Sequence, residues 1–75
     1  MGEINKAFIV GIHRYCYKAG EVAEITNMVW VSDRLCYEAK YLDDSIDFIP
    51  VIDEANYIII SELDVKEGNI PKVIN

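Results

Sequence analysis

The sequence predicts an all-β fold: a small, strongly bent β-barrel of five to six short strands with one short helical turn. Three observations lead there. Residues Leu35 to Tyr41 alternate, with Leu35, Tyr37, Ala39 and Tyr41 on one face and Cys36, Glu38 and Lys40 on the other. That is the period of a strand with one face buried. The remaining apolar runs are short and rich in β-branched and aromatic residues, and turn residues separate them every several positions. Only Ser61-Glu62-Leu63-Asp64 reads as a helical or tight turn, because the Ser61 hydroxyl can accept from free backbone N–H groups.

Taken in order, Ala7 to Ile12 is a first strand, and Gly11 within it marks a bulge or a close approach of backbone. His13 to Lys18 interleaves cations with tyrosines and reads as a second strand or a structured loop, ended by Ala19-Gly20. Glu21 to Ile25 is the next strand, and Asn27 is a kink before Met28-Val29-Trp30-Val31. Ser32-Asp33-Arg34 is a turn that leads into the alternating strand. Asp43-Asp44-Ser45 supplies a second turn, since short polar side chains bond the local backbone and tolerate tight bends. Ile46 and Phe48 then resume an apolar face around Asp47, and Pro50 closes the returning strand. Tyr37, Tyr41 and Phe48 are expected to face inward. Asp53 to Asn56 is a loop, and Tyr57 to Ile60, apolar throughout, is expected to be a central strand covered on both faces. Gly68-Asn69 and Pro71 punctuate the end of the chain, where Val73 and Ile74 add a last apolar patch. One domain spans residues 1–75, with its core in about 7–65 and a C-terminal tail from 66 to 75.

The 75 residues are 52% hydrophobic, which argues against disorder and leaves more apolar surface than so small a body readily buries. A homo-oligomer that hides the excess is therefore expected. The net charge is −6 and is unevenly spread: residues 1–20 hold Lys6, Arg14 and Lys18 against Glu3, while the remainder holds 12 acidic and 4 basic side chains. An acidic surface repels phosphate backbones, so general nucleic-acid binding is not expected. Nothing approaches the ~18 consecutive apolar residues of a membrane span, and the first residues lack the pattern of a secretory leader. Cys16 and Cys36 then fit free thiols in a cytoplasmic protein, or the host cytoplasm for a phage-encoded one.

Glycine-led strand AGEVAEI, the hairpin RLCYEAKYLDDSIDFIPV and the closing YIIISELD together resemble the small barrels of the Src-homology and Tudor kind. The resemblance covers about residues 19–65. It implies a hairpin of two central strands and a short turn before the last strand. Size and acidity are also similar in style to accessory proteins of bacteriophages and mobile elements.

No nucleophilic triad, phosphate-cradling glycine loop or paired metal motif is present, so the chain is read as a non-enzyme without a cofactor. His13, Cys16 and Cys36 offer donors that zinc accepts, but without a second cysteine pair. Tyr15, Tyr17, Trp30, Tyr37 and Tyr41 are the residue types of an aromatic cage, and equally those of a core. His13, Arg14, Tyr15, Tyr17 and Lys18 form the one basic, aromatic stretch: Arg grips an anion with two donors, and a tyrosine ring stacks on a base. Asp43, Asp44 and Asp47 are read as a carboxylate surface for docking a basic partner. The leading expectation is a non-catalytic inhibitor or adaptor that occupies a protein partner's surface. The alternatives are an oligomer that sequesters a small anionic ligand such as a nucleotide, and an acidic mimic of DNA.

Overall fold

Five runs of mainly β-branched and aromatic residues pair into one antiparallel sheet: β1 (Ala7–Gly11), β2 (Val22–Val31), β3 (Arg34–Tyr41), β4 (Ile46–Pro50) and β5 (Tyr57–Ser61). The computed structural model describes residues 6–74. The strand order is β4-β3-β2-β1-β5, so the first four strands form a meander and β5 returns to the free side of β1. A 3-10 turn, Glu54–Asn56, precedes β5, and the helix α1 (Glu62–Glu67) follows it. β4 and β5 are the two edges, and no described strand joins them, so the sheet is open.

Local chemistry explains most boundaries. Ser32 and Asp33 both take positive φ, at 48° and 64°, as a two-residue turn between twisted strands requires. The β3–β4 connection is a three-residue loop, Leu42–Asp44, closed by the Tyr41 N–H donating to Ser45 O at 2.9 Å, with Asp44 at φ 68°. The Asn27 kink is a shift in register between Ile25 and Asn27 where β2 faces β3. Such an irregularity bends a strand and strengthens its twist. Ser61 caps α1 by accepting from the Asp64 N–H at 3.1 Å, while the Asp64 carboxylate accepts from the Ser61 N–H. Gly68, at φ 75°, ends the helix.

Strand pairing places Ile9, Ala23, Ala39, Tyr41, Ile49 and Tyr57 on one face of the sheet, and they form the core cluster. Tyr17, Ile25 and Tyr37 pack against it half-buried. Val10 and Ile60 are buried on the opposite face, where Val65 of α1 shares a depression with Phe8 and Val22.

Two expectations are corrected. Phe48 does not face inward: it is 46% exposed, while Ile49 is 1% exposed and pairs with Tyr37. The three-residue loop sets Lys40 opposite Ile46, so Ile46 and Phe48 share the outer face with Lys40 and Glu38. A register different by one residue would have exchanged every side chain of β4 between faces. β5 is not central either. It is an edge strand, with Ile58 and Ile59 both partly exposed, because β1 occupies one side and no described strand takes the other. A continuous apolar run does not distinguish a doubly covered strand from an edge.

Candidate functional site: the loop between β1 and β2

Residues 12–21 leave the end of β1, double back and enter β2, and the backbone ties them down at both ends. The Gly20 N–H donates to Gly11 O at 2.8 Å, and the Cys16 N–H donates to His13 O at 3.0 Å. A Cβ on Gly11 would stand 3.1 Å from the Cys16 carbonyl oxygen, so the expected close approach is made here. The chain end also reaches this loop: the Ile74 N–H donates to Ile12 O, and His13 bridges Ile74 in parallel.

Within the loop the five predicted residues divide by direction. Tyr17 turns inward. Its φ of 56° is uncommon for a bulky residue, and the hydroxyl donates to the Asp53 carboxylate while the ring packs on the core. Burial first, and then the Asp53 carboxylate, raise the phenol well above its ordinary range. Lys18 is also committed. Its ammonium lies 3.0 Å from Asp43, bonds Ser45 Oγ, and stands 4.8 Å from the centre of the Tyr41 ring. Its backbone N–H donates to the Tyr41 hydroxyl at 3.4 Å, and that hydroxyl donates to Asp47 at 3.2 Å.

Arg14 and Tyr15 point the other way. Tyr15 is 87% exposed, and the Arg14 guanidinium sits 5.2 Å from its ring centre. His13, Cys16, Asn56 and Ile74 line a shallow depression beside them. A rigid base thus carries an exposed Arg–Tyr pair at its crest. These are residue types that supply much of the binding energy at protein interfaces, and a loop already held in shape loses little entropy on docking.

The carboxylates read as a second surface prove to be joined to the first. Asp43 is held by Ser45, whose hydroxyl and backbone N–H both donate to it, and then by Lys18; together they keep its carboxyl well below the usual range. Asp44 pairs with Lys40 at 3.3 Å. Asp47 leaves that group altogether. It stands opposite Ala39 on the core side of β4, half-buried, with the Tyr41 hydroxyl as donor. Long-range contacts of this kind carry no mark in the chain: Lys18 and Asp43 lie 25 positions apart.

Other sequence candidates are dispersed. Cys36 is buried on the face opposite the core cluster, Cys16 lies in the loop, and both thiols are free. Among the described residues no three His, Cys, Asp or Glu side chains are grouped to hold a metal ion. Trp30 pairs with Leu35 at the far end of β2, whereas Tyr41 pairs with Ala23 near its start, so these aromatics do not share one cage. Among the described residues no helix is long and apolar enough to cross a membrane. Comparison with family models, curated proteins and solved structures finds no match to this chain.

Anchoring through Tyr17 is testable. Tyr17→Phe is expected to lower stability by roughly 1–3 kcal/mol, the cost of removing a donor from a part-buried carboxylate. Urea titration followed by far-ultraviolet circular dichroism measures it. A midpoint identical to the parent would show that the hydroxyl does not hold the loop.

Proposed function

We propose that the chain is a non-catalytic binding protein, an inhibitor or adaptor, that occupies the surface of a protein partner through the crest of the β1–β2 loop. One observation carries this reading: Arg14 and Tyr15 are exposed together on a loop whose neighbouring residues, Tyr17 and Lys18, are locked to Asp53 and Asp43. Preorganisation is what distinguishes an anchor from an ordinary exposed side chain. The strand order and the 3-10 turn before β5 support reading the sheet as a small, strongly bent barrel of the Src-homology kind.

The alternative, sequestration of a small anion by the same loop, is the weaker reading because Lys18 is already paired. Removing Lys18 would disturb Asp43, Ser45 and Tyr41, so Arg14 alone is the informative substitution. Tyr15→Ala and Arg14→Ala should leave the circular dichroism spectrum unchanged, since both side chains project outward. Quantitative affinity capture from host extract should recover at least one protein with the parent that both variants lose by tenfold or more. Equal recovery by all three would remove the loop from the interface. A thermal shift with nucleotides that Arg14→Ala abolishes would favour the small-anion reading instead.

A further inference from the structure

The segment after α1 does more than tie the β1–β2 loop. Beyond Gly68 the backbone is fixed by the Asn69 N–H donating to Asp64 O at 2.8 Å and the Ile70 N–H donating to Gly68 O at 2.9 Å. Pro71 restricts the segment further. Val73 then lies against Gly20, where a Cβ would stand 3.1 Å from its methyl carbon, and Ile74 runs beside His13 with its N–H bonded to Ile12 O. That bond uses backbone only. The Ile74 side chain, 51% exposed, is left to line the depression with His13, Arg14, Tyr15, Cys16 and Asn56. Asn56 is fixed in turn, its amide donating to Asp53 at 2.7 Å and its carbonyl accepting from the Ile12 N–H at 3.0 Å.

Charge sets this depression apart. Its lining holds two basic side chains, His13 and Arg14, and no carboxylate. Three other depressions each set a carboxylate beside their cations: Glu62 beside Lys6 and Lys66, Asp33 beside Arg34, and Glu24 and Asp44 beside Lys40. Arg14 forms no ion pair among the described residues, so its guanidinium keeps N–H donors for a carboxylate from outside. Taking the β1–β2 loop as the docking surface, on which reading this rests, we infer that the depression is the socket for an acidic segment of the protein partner. A carboxylate of that segment meets Arg14, and an adjoining apolar side chain covers Ile74 and the Tyr15 ring. The net charge of −6 repels such a segment from most of the surface, which restricts it to this one place.

A random peptide library selected on the immobilised chain provides the test, with a parallel selection on Tyr15→Ala to discard sequences bound elsewhere. Sequences retained by the parent alone are expected to carry Asp or Glu next to an aliphatic or aromatic residue. Such a peptide, titrated by fluorescence anisotropy, should lose roughly tenfold or more in affinity on Arg14→Gln and on Ile74→Asp. Neutralising the peptide's own carboxylate should cost the parent as much and Arg14→Gln little, because the two charges act as a pair. Circular dichroism establishes that each variant folds. Ile74→Ala, which keeps the backbone bond and adds no charge, replaces Ile74→Asp if the latter disturbs the loop. Enrichment of basic or uncharged sequences overturns the inference, as does the absence of any sequence particular to the parent. A peptide held equally by the parent, Arg14→Gln and the Ile74 variants overturns it too. Loss of a protein from extract capture on Tyr15→Ala, beside any of those results, would leave the loop as the docking surface, so the two readings fail separately.

Discussion

Ile49→Ala is expected to cost roughly 2–5 kcal/mol, the range for emptying a buried aliphatic position whose surroundings relax only partly. Ile49 is 1% exposed, belongs to the core cluster and stands opposite Tyr37, which meets Tyr57 edge to face with ring centres 5.8 Å apart. The core is built from few large side chains, because two of its six buried members are alanines, Ala23 and Ala39. A domain of this size has only a few kcal/mol in total, so much of the variant population should be unfolded at room temperature. Phe48→Ala, one residue earlier, should cost less than about 1 kcal/mol because its ring is already half in water. Paired urea titrations of the two variants decide the register of β4. Were Phe48→Ala the damaging change, the pairing described for β3 and β4 would be wrong by one residue.

The second large effect is a loss of the fold in alkali. Tyr41 and Tyr57 are both pushed up to about 12, in each case first by burial. Tyr57 donates its proton to Val51 O at 2.6 Å, and Tyr41 donates to the Asp47 carboxylate, so ionisation would set a phenolate against an acceptor. An unfolded chain releases these protons near the ordinary value of 10. The folded state therefore binds more protons than the unfolded state between pH 10 and about 12. Stability contributed by these groups is full below 10 and falls as pH rises through that window. Tyr17, raised further still, adds to the same loss. Tyrosinate absorbance and circular dichroism should change together and cooperatively, rather than as independent titrations. Early ionisation of four or five tyrosines with the sheet intact would show that they are not buried as described.

Asp43 acts at the other end of the scale. Its carboxyl is held below the ordinary 3.8, so its contribution is fully present above that value and is lost only as pH falls on through the lower value of the folded state. Ser45 and Lys18 bond the charged form, and protonation releases both. Since Lys18 is one of the ties that close the β1–β2 loop, this tie is expected to stay closed in mild acid, where carboxylates in the ordinary range already take up protons. Partner capture through Tyr15 is then expected to persist through mild acid, and its loss near the ordinary carboxylate range with unchanged circular dichroism would show that Ser45 and Lys18 do not hold Asp43.

Much of the architecture was legible because local physics dictates it. Alternation from Leu35 to Tyr41 predicts β3, and Ser32-Asp33 predicts the turn before it. Ser61 predicts the start of α1, since its hydroxyl can satisfy an orphan N–H within three residues. Gly11 announced a close approach, and the structure supplies the Cys16 carbonyl that makes it close. The candidate loop was likewise marked by composition, as the one stretch where cations and tyrosines alternate. Its internal division was not marked. Nothing in His13 to Lys18 says that Tyr17 and Lys18 turn inward, because their partners Asp53 and Asp43 lie 36 and 25 residues away.

By itself, then, the sequence determined the all-β class, the turns, the helix start and the acidic surface, each the product of neighbours within a few residues. Tertiary structure alone decided which face of β4 is buried, which strand became the edge, and which two of five candidate residues remain outside. The reason is common to all three. Side-chain direction in a strand follows from register, and register is a property of a pair of strands. Ile46 and Phe48 alternate as well as Asp47 and Ile49 do, until Lys40 is placed opposite Ile46.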